Sequence, residues 1–205
     1  MAKPDIKDFK KVLVVEGYSD LLFYAEVLEY LKKHGQVFIE ALNGKEDLIT
    51  QLEVLLTPEL LAAKESIGVI IDADQDADAA ARTLATTLKN ATTLDLTNGI
   101  WSNNNPKIGF FIAPGNGQPG EVETLVWQAW SNVPANQHAK QCVDTYLNCM
   151  SEINFRAHSP DKGRIGTLLA VRADEDPRLG PGARQNVFDF SLPEFATLNS
   201  FLAQI

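Results

Sequence analysis

The sequence predicts an α/β protein, with a mostly parallel β-sheet flanked by helices and a helical C-terminal portion. Three observations lead to this fold class. Short apolar runs at residues 12–15, 37–41, 67–71 and 107–113 have the length and composition of buried strands. Segments with helical periodicity separate these runs, as expected for parallel strands joined by helices. After residue 130 only helical patterns follow.

The helices are recognised by apolar residues at helical spacing and by the residues at their ends. Gly35 stops the first helix, and Pro58 initiates a short one. The predicted helices cover residues 19–33, 45–56, 58–64, 79–89, 121–130 and 135–153, a segment around 167–172, and residues 193–205. We therefore expect a core over residues 1–130, and a helical extension over residues 131–205 that packs on it.

Composition limits the classes of function. A chain of 205 residues with 45% hydrophobic residues can form a real core, as one domain or one domain with an appendage. The net charge of −9 argues against coating of nucleic acid through bulk electrostatics. It does not argue against an enzyme that acts on phosphates with a metal, because bound cations invert the local charge.

The sequence also predicts the cellular setting. No apolar run approaches the roughly 18–20 residues of a membrane span, so no membrane partner is expected, and the polar N-terminus does not resemble a secretion signal. Cys142 and Cys149 are seven residues apart and match no metal or redox motif. We expect two buried thiols in a reducing compartment, and we therefore predict a cytoplasmic location.

Acidic residues follow two of the predicted strands directly. Glu16 ends the first strand, and Gly17 then allows a turn into a helix that Ser19 or Asp20 can cap. The strand at residues 67–71 ends in Asp72-Ala-Asp74. If both strands belong to one parallel sheet, these acids gather at its carboxyl edge, where open α/β sheets bind ligands.

Such a group of carboxylates suits Mg²⁺ or Mn²⁺, which prefer oxygen ligands. The alternative is helix capping, because acids are favoured at a helix start. Capping accounts for one aspartate, but not for four at alternate positions, namely Asp72, Asp74, Asp76 and Asp78. Several acids in one cleft would also repel one another, and a divalent cation would compensate them.

A second loop carries further candidates. Residues 115–120 match G-x-G-x-x-G between a strand and a helix, but Pro119 removes a backbone N–H that a phosphate cradle would use, so we interpret the loop as a turn. Glu123, at the start of the next helix, is either a further metal ligand or an acid favoured by the helix dipole. Trp127 and Trp130 are expected in the core or at a helix interface.

These residues resemble a known domain. Val-Val-Glu16-Gly-Tyr-Ser-Asp20 followed by Ile-Ile-Asp72-Ala-Asp74 is similar to the Toprim domain, a Rossmann-like fold of topoisomerases, primases, ribosomal-RNA maturases and OLD-family nucleases. Gly44-Lys45 resembles the OLD-type arrangement. Gly120-Glu-Val-Glu123-Thr-Leu and the segments from Lys162 to the final helix resemble the DUF3226 group, a Toprim-like family of unknown function.

The resemblance implies Mg²⁺-dependent phosphodiester chemistry. It implies that Asp72 and Asp74 bind metal, that Glu123 completes the set, and that Glu16 binds metal or acts as general acid or base. The alternation of aspartates adds Asp76 as a further candidate ligand. Lys162 would stabilise charge at the phosphate. Gln75 and Asp76 follow Asp74 where topoisomerases and primases have a basic residue and a glycine, so the resemblance does not extend to strand passage or primer synthesis.

Two classes of function remain open at this point. The first is a stand-alone nuclease or phosphotransfer enzyme that acts on DNA, RNA or a small phosphoester at the acidic site. The second is a non-catalytic module that binds a nucleotide or a protein on a Toprim scaffold. A receiver-like phospho-acceptor fits the length and the C-terminal half less well. The sequence leaves the oligomeric state open, a homodimer included.

Overall fold

The computed structural model describes residues 5–157, 159–172 and 176–205. Its centre is a sheet of four parallel strands in the order β2-β1-β3-β4. The strands are β1 (Lys11–Val15), β2 (Val37–Ala41), β3 (Ser66–Asp72) and β4 (Lys107–Ala113). The predicted α/β fold is confirmed, and the apolar runs at 37–41 and 107–113 coincide with β2 and β4.

Helices follow the strands and then continue alone to the end of the chain. They are α1 (Tyr18–Tyr30), α2 (Lys45–Leu55), α3 (Pro58–Ala63), α4 (Ala77–Thr92), α5 (Val122–Asn132), α6 (Gln137–Glu152), α7 (Pro160–Arg172), α8 (Leu179–Arg184) and α9 (Ala196–Leu202). None of the helices in the described ranges is long and apolar enough to cross a membrane.

Alternation of side chains along the strands divides the core into two layers. Val12 and Val14 face one side of the sheet, where they pack with α2 and α4. Leu13 and Val15 face the other side, with α1, α5 and the C-terminal helices. Both faces of the sheet are therefore covered, which is why its strands are apolar without interruption.

The helices after residue 131 pack on the side of the sheet that carries α1 and α5. Helix α7 contacts α5, and α8 contacts α1 and α7. Helix α8 was not predicted, because Leu-Gly-Pro-Gly has the composition of a turn. Its glycines allow close approach: a Cβ at Gly180 would lie 2.3 Å from Cβ of Leu22, and one at Gly182 would lie 2.5 Å from Leu169.

Two expectations about side chains have opposite outcomes. Trp127 and Trp130 are buried and stacked, with ring centroids 5.4 Å apart, as expected. The expectation that Cys142 and Cys149 are buried is wrong, because both are free and exposed on α6. That helix buries only Val143, so the face that carries the two cysteines lies outside the core. Their surroundings therefore give no support to the predicted location.

Candidate functional site

Glu16 and Asp72 connect the ends of two neighbouring strands to the start of a helix. The backbone N–H of Asp72 donates to Glu16 Oε1 at 2.7 Å. The backbone N–H of Val122, the first residue of α5, donates to Asp72 Oδ1 at 2.9 Å. Asp72 therefore satisfies one of the free N–H groups at the start of α5, where the helix dipole favours a negative charge. The two acids are neighbours at the carboxyl edge, as predicted.

Asp74, two residues after Asp72, is more exposed and is paired with Lys45. Lys45, the first residue of α2, donates from Nζ to the Asp72 carbonyl and to Asp74 Oδ2, both at 2.6 Å. The backbone of Asp74 has a φ of 53° and forms two hydrogen bonds with Gly120, of 2.9 and 2.7 Å. This pair of bonds holds the turn after β3 against the turn before α5. The Asp74 side chain is 53% exposed and has a cation as its partner.

Asp76 has a structural role in this arrangement. Its Oδ1 accepts the backbone N–H of Ala79 at 2.9 Å and so caps α4. Asp78 is exposed in the first turn of the same helix. The alternation of four aspartates therefore does not place four carboxylates in one cluster: the structure joins Asp72 to Glu16, and it leaves Asp76 and Asp78 at the start of α4.

Glu123 and Glu121 each supply a buried carboxylate oxygen that lacks a hydrogen-bond partner among the described residues. Glu123 is 8% exposed, and its Oε2 has no hydrogen-bond partner among the described residues. Glu121 Oε2 is likewise buried without a partner, and Glu121 Oε1 lies 3.3 Å from Lys162 Nζ. Buried polar atoms are nearly always hydrogen-bonded, so two such oxygens on neighbouring acids at the start of α5 indicate a place for a ligand.

We call the acids at this edge, Glu16, Asp20, Asp72, Glu121 and Glu123, the acidic cluster. Burial raises the pKa of four of them. The pKa values of Glu16 and Glu123 both rise to about 7, mainly because burial disfavours the charged carboxylate. The pKa of Asp72 rises well above its usual range through burial and the charge of Glu16, and burial also raises the pKa of Asp20. Lys162 opposes the rise for Glu123, Asp72 and Asp20.

Sequence reasoning missed part of this cluster. The sequence indicates Asp20 only as a helix cap, and it does not single out Glu121 or Tyr24 as site residues. Tyr24 lies four residues after Asp20 on α1, so helical spacing could have placed these two on one side. Burial, then the charges of Asp72, Asp20 and Glu16, raise the pKa of Tyr24 well above its usual value. Glu121 could be found only from the packing of α7 against α5.

The residues of the site fit a divalent cation that keeps part of its water shell. Within residues 5–157, 159–172 and 176–205, no three His, Cys, Asp or Glu side chains form a ready set of metal ligands. Mg²⁺ is usually bound through one or two carboxylates together with waters and substrate phosphates, so it does not require such a set. The unpaired oxygens of Glu121 and Glu123 are of the hard type that this ion prefers.

The fold and the site together define a class: an α/β protein whose carboxylates gather at the carboxyl edge of a parallel sheet, beside the start of α5. The family model DUF3226, described as a protein of unknown function, matches residues 10–205. The chain belongs to this family, which confirms the resemblance to the DUF3226 group. Comparisons with the curated proteins and with the solved structures give no match.

Proposed function

We propose that this chain is a stand-alone Toprim-like enzyme of Mg²⁺-dependent phosphodiester chemistry, either a nuclease or a related phosphotransferase. One observation carries the proposal. Buried acids with raised pKa values share this sheet edge with two carboxylate oxygens that lack partners among the described residues, and Lys162 Nζ lies 3.3 Å from Glu121 Oε1. Burial of several acids together is unfavourable unless a cation joins them, and such clusters are typical of functional sites.

The arrangement of the strands supports the Toprim affiliation. Glu16 follows β1, and Asp72 and Asp74 follow β3, the neighbouring parallel strand. This is the order that the resemblance implies, with a glutamate after the first strand and a D-x-D after a later one. Glu123 follows in the next β–α connection and lies in the same cluster as Asp72.

We assign each residue a role from its surroundings. Asp72 and Glu123 would hold Mg²⁺ or Mn²⁺, with waters and a substrate phosphate completing its shell, and Glu16 and Asp74 would join them only after side-chain movement, Asp74 on release from Lys45. When bound, such an ion activates water and offsets negative charge on the phosphate. Lys162, 49% exposed at the rim, is placed to bind a phosphate oxygen.

Glu16 has a second role open to it. With a pKa near 7, its carboxyl group can take up or release a proton at neutral pH, as a general acid or base must. A cation bound directly to Glu16 would lower that pKa and leave the group a ligand. DNA, RNA and small phosphodiesters are all substrates on which this set of residues can act.

One observation favours the second class, a non-catalytic module on the same scaffold. The Lys45 ammonium already occupies a cation's position between the Asp72 carbonyl and the Asp74 carboxylate. If this ion pair persists in the active state, Asp74 is not available to a metal. A module of this kind would bind a nucleotide or a protein at the same edge without turnover.

A calorimetric titration of Mg²⁺ and of Mn²⁺ tests the proposal. We expect saturable binding to the wild type, and loss of binding in Glu16→Gln and Asp72→Asn. Glu59→Gln, which neutralises an exposed acid on α3, is the matched control and should bind as the wild type does. Circular dichroism would verify the folding of every variant.

Activity is then measured on single-stranded and duplex DNA and RNA and on a small chromogenic phosphodiester. The enzyme proposal requires metal-dependent turnover of at least one of these substrates, lost in Asp72→Asn and kept in Glu59→Gln. Metal binding without turnover of any of them would favour the module. If the wild type binds neither Mg²⁺ nor Mn²⁺, with or without substrate present, the proposal of a metal-dependent enzyme is contradicted.

A further inference from the structure

A cavity of about 500 Å³ lies beside the acidic cluster, between α2 and α4. It is on the side of the sheet opposite α1 and α5, near the carboxyl end of β3. Lys45 lines it and also contacts Asp72 and Asp74, so the cavity and the acidic cluster share one side chain. Its volume is in the range of sites that hold small molecules, and it is much larger than an ion requires.

The walls of this cavity suit a flat, largely apolar group. Ala73 and Ala80 are buried side chains in its lining, and Ile49 and Ala79 add aliphatic surface. Alanines leave room between the two helices that a larger residue would fill. The lining includes no aromatic side chain, so an inserted ring would contact aliphatic groups through its faces.

The charged residues of the lining discriminate between parts of a substrate. Glu46 and Asp76 are exposed carboxylates of the lining, so they repel a phosphate and accept hydrogen bonds from N–H and O–H donors. Lys45 has three N–H donors, and two of them go to Asp72 and Asp74. A phosphate is therefore favoured at the Lys45 end of the cavity, which adjoins Asp72 and Asp74, and an uncharged group with N–H donors is favoured inside the cavity.

We propose that this cavity binds an unpaired nucleobase next to the phosphate on which the enzyme acts, so that the substrate is single-stranded nucleic acid. The inference rests on the proposed phosphodiester chemistry and adds the substrate class. Bases carry N–H donors on a flat apolar ring, which the aliphatic walls and the two carboxylates match. In a duplex, stacking and pairing withhold the base from such a cavity.

Binding of a fluorescent single-stranded oligonucleotide, followed by anisotropy, tests the inference. The comparison probe has the same length and backbone but abasic residues throughout, and both are titrated in Ca²⁺, which takes the same oxygen ligands as Mg²⁺. We expect the wild type to bind the intact strand about tenfold more tightly than the abasic strand, a factor that burial of roughly 60 Å² of apolar base surface would supply. A duplex of the same sequence should bind no better than the abasic strand.

Thr83→Trp places a large side chain in the cavity from an exposed position on α4. We expect it to abolish the preference for the intact strand while the affinity for the abasic strand is kept. Thr86→Trp, an exposed position on the same helix outside the lining, is the matched control and should keep the preference. A tryptophan that disturbed the helix itself would affect both variants.

Equal binding of the intact and abasic strands by the wild type would overturn the inference, and so would an unchanged preference in Thr83→Trp. Neither result would affect the proposed function if the metal-dependent turnover persists. If the wild type binds neither strand, nucleic acid is excluded as the ligand of the cavity. The calorimetric titration and the small phosphodiester would then decide separately whether the metal site and its chemistry stand.

Discussion

Replacement of Glu123 by glutamine should make the metal-free protein more stable at pH 8. Burial raises the pKa of Glu123 from 4.5 to about 7 in the folded state. The folded protein therefore holds this proton more tightly than the unfolded chain does. The resulting stability is fully present below about pH 4.5, and it decreases as the pH rises through about 7.

The size of the effect follows from the same values. A rise of the pKa from 4.5 to about 7 corresponds to about 3 kcal/mol of unfolding free energy, lost between these pH values. Glutamine resembles the protonated acid and carries no charge at any pH. We therefore expect Glu123→Gln to exceed the wild type by about 1 kcal/mol at pH 5 and by about 3 kcal/mol at pH 8.

Urea denaturation in EDTA at pH 5 and pH 8 measures this difference. Glu59→Gln, which replaces an exposed acid on α3, is the matched control because it removes no buried carboxylate. If Glu123→Gln is no more stable than the wild type at pH 8, the reasoning about burial is refuted. Mg²⁺ at pH 8 should stabilise the wild type more than the variant, since the ion replaces the missing partner of the carboxylate.

Three other substitutions have definite outcomes. Lys162→Met should destabilise the metal-free protein by about 1–2 kcal/mol more at pH 8 than at pH 5, because the ammonium compensates the ionised acids. In the same urea experiment, Lys107→Met, at the exposed start of β4, should show no such difference. Gly180→Ala should lower the free energy of unfolding by about 1–3 kcal/mol, because the added Cβ would collide with α1. In Gly166→Ala the added Cβ meets no atom within 4 Å, so this variant should be neutral or slightly more stable. Equal thermal unfolding of the two variants would contradict the collision. Asp76→Ala should cost about 1 kcal/mol through loss of the α4 cap and leave calorimetric Mg²⁺ binding unchanged, and a loss of binding would show that this acid is a ligand instead.

The sheet could be predicted from the sequence because each strand is a short apolar run with polar or turn residues on both sides. β2 and β4 begin and end where the pattern does. Helix α8 could not be predicted, since local propensity argues against it and only its fit against α1 and α7 stabilises it. The same limit applies to Cys142 and Cys149, whose exposure depends on which face of α6 the core covers.

The site was predictable to the extent that it depends on strand ends. Glu16 and Asp72 follow neighbouring strands, and parallel pairing alone brings them together. Asp76 was predicted as a ligand because alternate acids suggested a common cluster, yet the turn after β3 directs its carboxylate to the backbone of α4. Glu121 and its partner Lys162 are 41 residues apart, and no local pattern could relate them.

The contact between α5 and α7 also has a consequence for biosynthesis. Asp20, Asp72 and Glu123 leave the ribosome before Lys162 does, so the nascent chain presents these acids before the ammonium that compensates them exists. Until α7 docks on α5, ionisation of these carboxylates opposes closure of the sheet edge. The charge balance of this edge is thus completed only after α7 has been synthesised, and cations in the surrounding solution can serve as temporary counter-charges until then.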